Sequence, residues 1–239
     1  MKTDQIEDIY ELSPMQQGML FHSLYAPASG VYCVQFITGV TGSLDPGVFK
    51  QAWQEVMDRH AVLRTAFFWE ELDRPRQVVH TQADVPLEFY DWRALAPAEQ
   101  EERLSTLLRK DRERGFDLSE APLMRLALIH LGTDSFKFVW SHHHILLDGW
   151  SAPLLFREFF TLYHALTSGQ EVRIERSRPY RDYIVWLQQQ DLSQAEAYWR
   201  RTLAGFTSPT PLIKERSASG SSLAKPDYDE QQIDRKSVV

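Results

Sequence analysis

Ser141-His142-His143-His144-Ile145-Leu146-Leu147-Asp148-Gly149-Trp150-Ser151 decides how this chain is read. Three imidazoles close an apolar run, and an Asp-Gly pair follows at a sharp change of direction. A strand end that delivers a histidine to a turn suits a proton-transfer group. The backbone fixes the ring, one face is solvated, and a nearby carboxylate can orient the surroundings. If the parity of Trp140 persists, His142 and His144 share one face and His143 takes the other, so at most two rings reach one cavity.

Four readings compete for the run. The bland one makes these strand-end histidines beside a structural Asp-Gly turn. Zinc fits poorly, because three successive residues cannot all point at one ion and no Cys or Glu pair at ligand spacing is near. The interior position excludes a purification tag. The fourth reading is a general base or positioning group, for which an imidazole of pKa about 6.5 is suited. Pattern alone goes no further.

Working outward, residues 123–131 and 136–141 read as two strands joined by the hairpin turn Gly132-Thr133-Asp134-Ser135. A helix starts near Ser151 or Ala152, keeps Leu155, Phe159, Leu162 and Leu166 in register, and stops at Gly169. Upstream, Ser13 caps a helix that runs to about Tyr25, with Pro14 at its first position and Gln16 completing a capping box. Residues 31–40 read as a strand. Asp45-Pro46 then opens the clearest helix, striped by Phe49, Ala52, Trp53, Val56, Met57 and His60.

Residues 61–69 read as extended, with Leu63, Thr65, Phe67 and Trp69 on one side and Arg64, Ala66 and Phe68 on the other; residues 77–80 pair beside them. A charged helix over 97–114 carries Leu104, Leu107 and Leu108. Helices over 180–190 and 193–204 follow, the second with Ser193 and Glu196 as a capping box. From Thr207 the chain turns linker-like, and residues 228–239 have weak strand character. The expected class is α+β, a mixed sheet covered on one face by helices.

The 239 residues fit one large domain with a trailing extension. At 43% hydrophobic and 25% charged, with a net charge of -7 and no basic run, nucleic acid and anionic membrane are excluded as partners. Cys33 is the only cysteine, so no intrachain disulfide forms, and it reads as a small core residue. No signal pattern and no apolar stretch of membrane-spanning length is seen, so a cytoplasmic location is expected.

His143-His144-Ile145-Leu146-Leu147-Asp148-Gly149 resembles the HHxxxDG signature of nonribosomal peptide synthetase condensation domains and their chloramphenicol-acetyltransferase-like relatives. Three further segments occur in the family's order. Ser13-Pro14-Met15-Gln16-Gln17-Gly18-Met19-Leu20-Phe21-His22 resembles the first condensation motif. Arg59-His60-Ala61-Val62-Leu63-Arg64-Thr65-Ala66-Phe67 resembles the second, and Tyr180-Arg181-Asp182-Tyr183-Ile184-Val185-Trp186 the fourth. The resemblance runs over residues 9–203.

Family members have two lobes with the reaction tunnel between them, and the later motifs are absent here. The resemblance therefore implies one amino-terminal, donor-side lobe of a normally two-lobed domain over 1–175, crossover helices over 176–206, and a flexible linker with the start of the second lobe over 207–239. It implies amide-bond formation. The amine of an aminoacyl group on a downstream peptidyl carrier attacks the thioester of an aminoacyl or peptidyl group on an upstream one. Phosphopantetheine arms deliver both, and no cofactor or metal is bound.

By the same resemblance His144 is the active-site imidazole. His143 packs or hydrogen-bonds, and Asp148 is a structural carboxylate paired with Arg64, the alternative being that Arg64 is simply exposed. Gly149 lets the backbone approach the substrate arm or turn without a clash. The amide of Gly149 or Trp150 faces the oxyanion, with Trp150 and Ser151 beside the substrate. Ser13, Met15 and Gln16 shape a helix near the tunnel mouth, and Tyr180, Tyr183 and Trp186 serve packing. The implied partners are two carrier proteins, the second lobe and an adjacent adenylation domain, with self-association possible through the exposed inter-lobe face. The isolated lobe is expected to be inactive. Two alternatives stay open: a free-standing chloramphenicol-acetyltransferase-like acyltransferase, and a non-catalytic lobe that docks a carrier protein.

Overall fold

Three helices begin where the sequence places a side-chain acceptor ahead of them. Ser13 Oγ accepts from the Gln16 amide at 3.2 Å and the Ser13 amide donates to Gln16 Oε1 at 3.0 Å, so α1 (Pro14–Tyr25) opens on a complete capping box. Asp45 Oδ1 accepts from the Gly47 and Val48 amides to start α2 (Pro46–Arg59). Asp148, two residues ahead of the Trp150 N-cap, accepts from the Trp150 and Ser151 amides in a turn that leads into α4 (Ser151–Ser168), and that helix ends at Gly169 in the left-handed conformation. The structure, a computed structural model, describes residues 5–27 and 29–208.

Among the described residues, seven strands form two sheets. An antiparallel sheet has the order β1 (Ile6–Glu11), β4 (Arg76–His80), β3 (Thr65–Phe68). A mixed sheet has the order β2 (Cys33–Thr41), β7 (Ser135–His143), β6 (Met124–Gly132), β5 (Leu87–Asp91), with β5 parallel to β6 and the other pairs antiparallel. The sequence points to one sheet. The difference comes from β1 and β5, two edge strands whose acidic residues and exposed positions blur the alternation that marks a buried strand.

Residues 61–64 are not extended as their alternation implies. Ala61–Arg64 form a 3₁₀ turn, closed by the Leu63 amide on the His60 carbonyl, and both Leu63 and Arg64 are buried. Alternation resumes only in β3.

The main core lies between the mixed sheet and the α2–α4 pair. Trp53 is fully buried at its centre, stacked on Phe159 at 4.9 Å and close to Trp140 and Phe138 from β7. Each such side chain withdrawn from water contributes on the order of 1.5–3 kcal/mol, which makes this layer the main source of stability. The opposite face of the sheet is covered too: Ile129 and Val139 pack with Leu104 of α3 (Pro97–Arg114), beside its Leu107 and Leu108. Helices thus cover both faces of the mixed sheet rather than one. Cys33 is half-buried at the end of β2, where burial first and the Asp111 carboxylate second push its thiol pKa up; it is no poised nucleophile.

The chain divides into two compact units, Met1–Gln190 and Asp191–Val239. In the first, α5 (Tyr180–Gln188) docks on the antiparallel sheet by Ile184, which packs with Tyr10 and Val79. Tyr180 packs against the same cluster as expected, whereas Tyr183 and Trp186 stack on each other and stay about half exposed. In the second unit, α6 (Ser193–Thr202) lacks the expected capping box. Ser193 is already inside the helix, its amide donates to Asp191, and the Glu196 carboxylate is taken by Arg200 one turn on. The expected linker and strand start over 207–239 lies, from residue 209 on, outside the described residues. Among the described residues no helix is long and apolar enough to cross a membrane.

Candidate active site

β7 ends at His143, and the chain leaves the sheet through a loop that hands over to α4. The His143 amide donates to the Leu123 carbonyl, and the His144 amide to the Tyr32 carbonyl at 2.8 Å. Tyr32 holds this position at φ 63°, a left-handed conformation that costs a non-glycine residue energy and persists where surroundings over-determine it.

The three imidazoles go to three environments. His142 stays with the core face, its ring 4.6 Å from that of Trp140 and tilted against it, and its Nδ1 has no partner among the described residues. Burial, then the neighbouring His144 and His143, push its pKa down to about 4. His143 is buried with both nitrogens engaged. Its Nδ1 accepts from the Ile145 amide at 3.2 Å, which fixes the proton on Nε2, 3.2 Å from Ser23 Oγ. Its pKa is also pushed down to about 4, by burial and then by His144.

Of the three, only His144 lines a cavity of about 1200 Å³, which His60 also borders. Its Nδ1 lies 2.6 Å from the Leu147 carbonyl oxygen, which only accepts, so Nδ1 carries the proton. In the neutral ring Nε2 is then an unprotonated acceptor, with no partner among the described residues. The parity expected for the run stops at His143, the last residue of the strand, and that is why His142 and His144 part company.

The cavity is walled by the start of α1, the turn over residues 58–64, the loop over 144–148, the first turn of α4 and a strap over 176–180. The strap is pinned. Arg59 Nη2 donates to the carbonyls of Ile174 and Glu175, and Ser177 Oγ lies 3.3 Å from His60 Nδ1. Arg59 and His60 share the buried Glu158 carboxylate at 3.1 and 2.9 Å. Both fall within the second motif, yet the sequence gives no sign of this clamp, whose acid comes from α4. Among the described residues, no three His, Cys, Asp or Glu side chains converge to hold a metal ion.

Arg64 and Asp148 both line the cavity but do not pair. The guanidinium, 6% exposed, is held by Glu7 at 2.8 Å and by the carbonyls of His80, Met57 and Asp58. β1 brings Glu7 there by pairing Ile6 with His80. Asp148 is exposed and needs no buried cation. Its Oδ1 accepts from Ser151 Oγ at 2.7 Å and from the Ser151 and Trp150 amides, at the positive end of α4. The Ser151 hydroxyl first, then these amides, hold its pKa below the usual carboxylate range.

A cap of this kind contributes about 1 kcal/mol, so Asp148→Ala is expected to lower the melting temperature by roughly 2–4 °C at pH 7.5, and Asp148→Asn by less. Because the folded pKa is depressed, the contribution is complete above the usual carboxylate range and fades as acid protonates the group. Thermal melts of the three proteins check this.

Gly149 has open space where a Cβ would stand, so nothing within the described chain requires glycine there, and the clash-free turn expected of it is not the reason for its presence. Trp150 is 87% exposed and its amide is spent on Asp148, and neither Gly149 nor Trp150 is among the residues that line the cavity. Ser151 is likewise committed to Asp148. Gln16 goes beyond its cap: buried in α1, it reaches the Ile145 carbonyl and Gln77. Nothing in the pattern of the sequence marks that reach.

The sequence profile described as Condensation domain matches residues 6–237. The chain is 47% identical over 228 residues to a linear gramicidin synthase of Brevibacillus parabrevis, an alignment with one of its component chains that covers 95% of this chain and 3% of that one. It is 42% identical over 221 residues to bacitracin synthase 3 of Bacillus licheniformis, over 92% of this chain and 4% of that one. Among solved structures, a variant of the starter condensation domain of rhizomide synthetase RzmA in complex with C8-CoA superposes with a TM-score of 0.77 at 27% identity. That match covers 88% of this chain and 48% of the other. The chain thus spans a few per cent of the length of these curated relatives and about half of the solved domain. With a profile that takes in nearly all of its residues, the chain belongs to the condensation-domain family of nonribosomal peptide synthetases.

Proposed function

We propose that this chain supplies the His144-bearing side of an amide-forming site. The substrates are two thioesters, each presented on the phosphopantetheine arm of a peptidyl carrier, one upstream and one downstream. The downstream amine attacks the upstream thioester carbonyl, a C–N bond forms, and the tetrahedral intermediate expels the upstream thiolate. His144 Nε2 takes the proton that the amine nitrogen loses and returns it to the leaving sulfur. A thioester is already activated, so the step consumes no ATP. What remains is alignment of two arms and stabilisation of the oxyanion.

The observation that carries this reading is the Nδ1–H bond to the Leu147 carbonyl, which leaves His144 Nε2 as an acceptor on the cavity. The adjacent adenylation domain and the second lobe are the remaining partners in this reading. The 239 residues alone are then inactive, because they correspond to about half of a solved condensation domain.

The test uses the synthetase that carries this chain, with the upstream carrier loaded with a labelled acyl or aminoacyl thioester and the downstream carrier with an aminoacyl one. Label appearing as an amide on the downstream carrier is the expected result. Intact thioesters with no amide product overturn the reading. Turnover of acyl-coenzyme A and a small free amine by the isolated chain supports a free-standing acyltransferase instead.

A further inference from the structure

We propose that Gln16 is a positioning residue for His144, acting through the carbonyl of Ile145. The inference rests on the reading of His144 as the proton acceptor, but its first test does not.

Gln16 is 4% exposed and its carboxamide is fully engaged. Oε1 accepts from the Ser13 amide at 3.0 Å and from Gln77 Nε2 at 3.1 Å. Nε2 donates to the Ile145 carbonyl at 3.2 Å and lies 3.4 Å from Gln77 Oε1. Gln77 is itself fully buried in β4 and donates to the Glu11 carbonyl at 2.9 Å, at the end of β1. One amide pair therefore ties α1 and the antiparallel sheet to the loop that carries His144.

Ile145 is the residue after His144, and both of its backbone polar groups are held. Its amide donates to His143 Nδ1 at 3.2 Å, and its carbonyl accepts from Gln16. Two residues on, the Leu147 carbonyl accepts the His144 ring proton. If the Ile145 carbonyl were released, the short segment between it and Leu147 would be free to rotate. The ring would then lose the acceptor that selects its tautomer. A buried amide left without a partner would also drive that rearrangement.

A capping box does not account for this residue type. The box needs only a side-chain acceptor at the third helical position, which Glu provides as well as Gln. Gln alone also offers the donor that reaches Ile145. Glu would set an acceptor against two acceptors, the Ile145 carbonyl and Gln77 Oε1. The residue is read by the loop as much as by the helix.

The test compares Gln16→Glu, Gln16→Met and Ser13→Ala in the full chain. Gln16→Glu keeps the cap and removes the donor. Gln16→Met keeps the volume without polar atoms and covers the case in which a buried carboxylate is not tolerated. Ser13→Ala weakens the cap without touching Ile145. Long-range ¹H–¹⁵N correlations of the His144 ring report which nitrogen bears the proton, with no substrate present.

The Nδ1–H signature is expected in the wild type and in Ser13→Ala, and a mixture of the two tautomers in a folded Gln16 variant. In the synthetase, kcat is expected to fall by about 10²-fold with KM within about twofold, the signature of a displaced group rather than a lost contact. An unchanged tautomer in either folded Gln16 variant overturns the inference. So does an equal change in Ser13→Ala, which would assign the effect to helix placement. Transfer that persists after His144 is removed would instead overturn the functional reading and leave the ring spectra standing.

Discussion

Replacing His144 with alanine is expected to slow carrier-to-carrier transfer by about 10²–10⁴-fold while the protein stays folded. The ring is half-buried, and its one hydrogen bond goes to a carbonyl of its own loop, so little of the fold hangs on it. The opposite outcome is expected one residue earlier. His143 is buried, bonds Ser23 through one nitrogen and the Ile145 amide through the other, and packs edge-on against Tyr32 and Phe116. His143→Ala leaves that amide unpaired in the interior and opens a cavity, which costs on the order of 2–4 kcal/mol. The pair separates chemistry from scaffold when both quantities, single-turnover transfer and the urea midpoint, are measured on each variant. Transfer by His144→Ala at the wild-type rate, with the fold intact, would falsify the assignment.

The contrast between these neighbours was only half legible in the sequence. Strand alternation separates His143 from the residues on either side, and it does so correctly as far as the strand goes. It then groups His142 with His144, because period two says nothing about where the strand stops. The Leu147 carbonyl, which defines the His144 ring, belongs to the loop and leaves no mark on the pattern. Helix starts fared better. Ser13 and Asp45 each place a short polar side chain ahead of an apolar stripe and each opens a helix, whereas Asp148, assigned to Arg64, instead holds the amides at the start of α4.

The misreading of Arg64 has a traceable origin. Its partner Glu7 sits in β1, whose run Ile-Glu-Asp-Ile-Tyr-Glu carries three acids in six residues and does not read as a strand. Once β1 is placed beside β4, Glu7 comes within reach of the guanidinium and Asp148 is free to cap α4 instead. An unrecognised edge strand thus became a wrong ion pair across the candidate site. Residues that act through long-range contacts, Gln16 with Ile145 and Glu158 with Arg59 and His60, depend on tertiary placement that no local spacing encodes.

Acid is expected to destabilise the domain well before its carboxylates titrate. His142 and His143 have folded pKa values of about 4 against an ordinary 6.5, in both cases chiefly because burial penalises the cation. The unfolded chain therefore binds more protons than the folded one between about pH 6.5 and 4, and stability falls as pH drops through that window. Each histidine contributes a slope approaching 1.4 kcal/mol per pH unit and a loss of roughly 3 kcal/mol by pH 4. Two of them consume much of the 5–15 kcal/mol typical of a folded domain. His80, shifted the same way by burial and by Arg64, adds to the same limb. Asp111, Asp148 and Glu158, whose values are lowered, act only in stronger acid.

His142→Phe isolates one of these protons, because the ring can keep its tilted contact with Trp140 and the unpartnered Nδ1 disappears. Its urea midpoint should match the wild type near pH 8 and exceed it at pH 5, with one proton fewer taken up on unfolding; parallel curves would refute this. Protonating His143 does something further. A proton on Nδ1 would face the Ile145 amide donor, so the bond that anchors the loop behind His144 cannot survive it. Acid should therefore unseat the loop and unfold the domain through the same group, and the histidine with no access to the cavity sets the pH at which the accessible one remains in place.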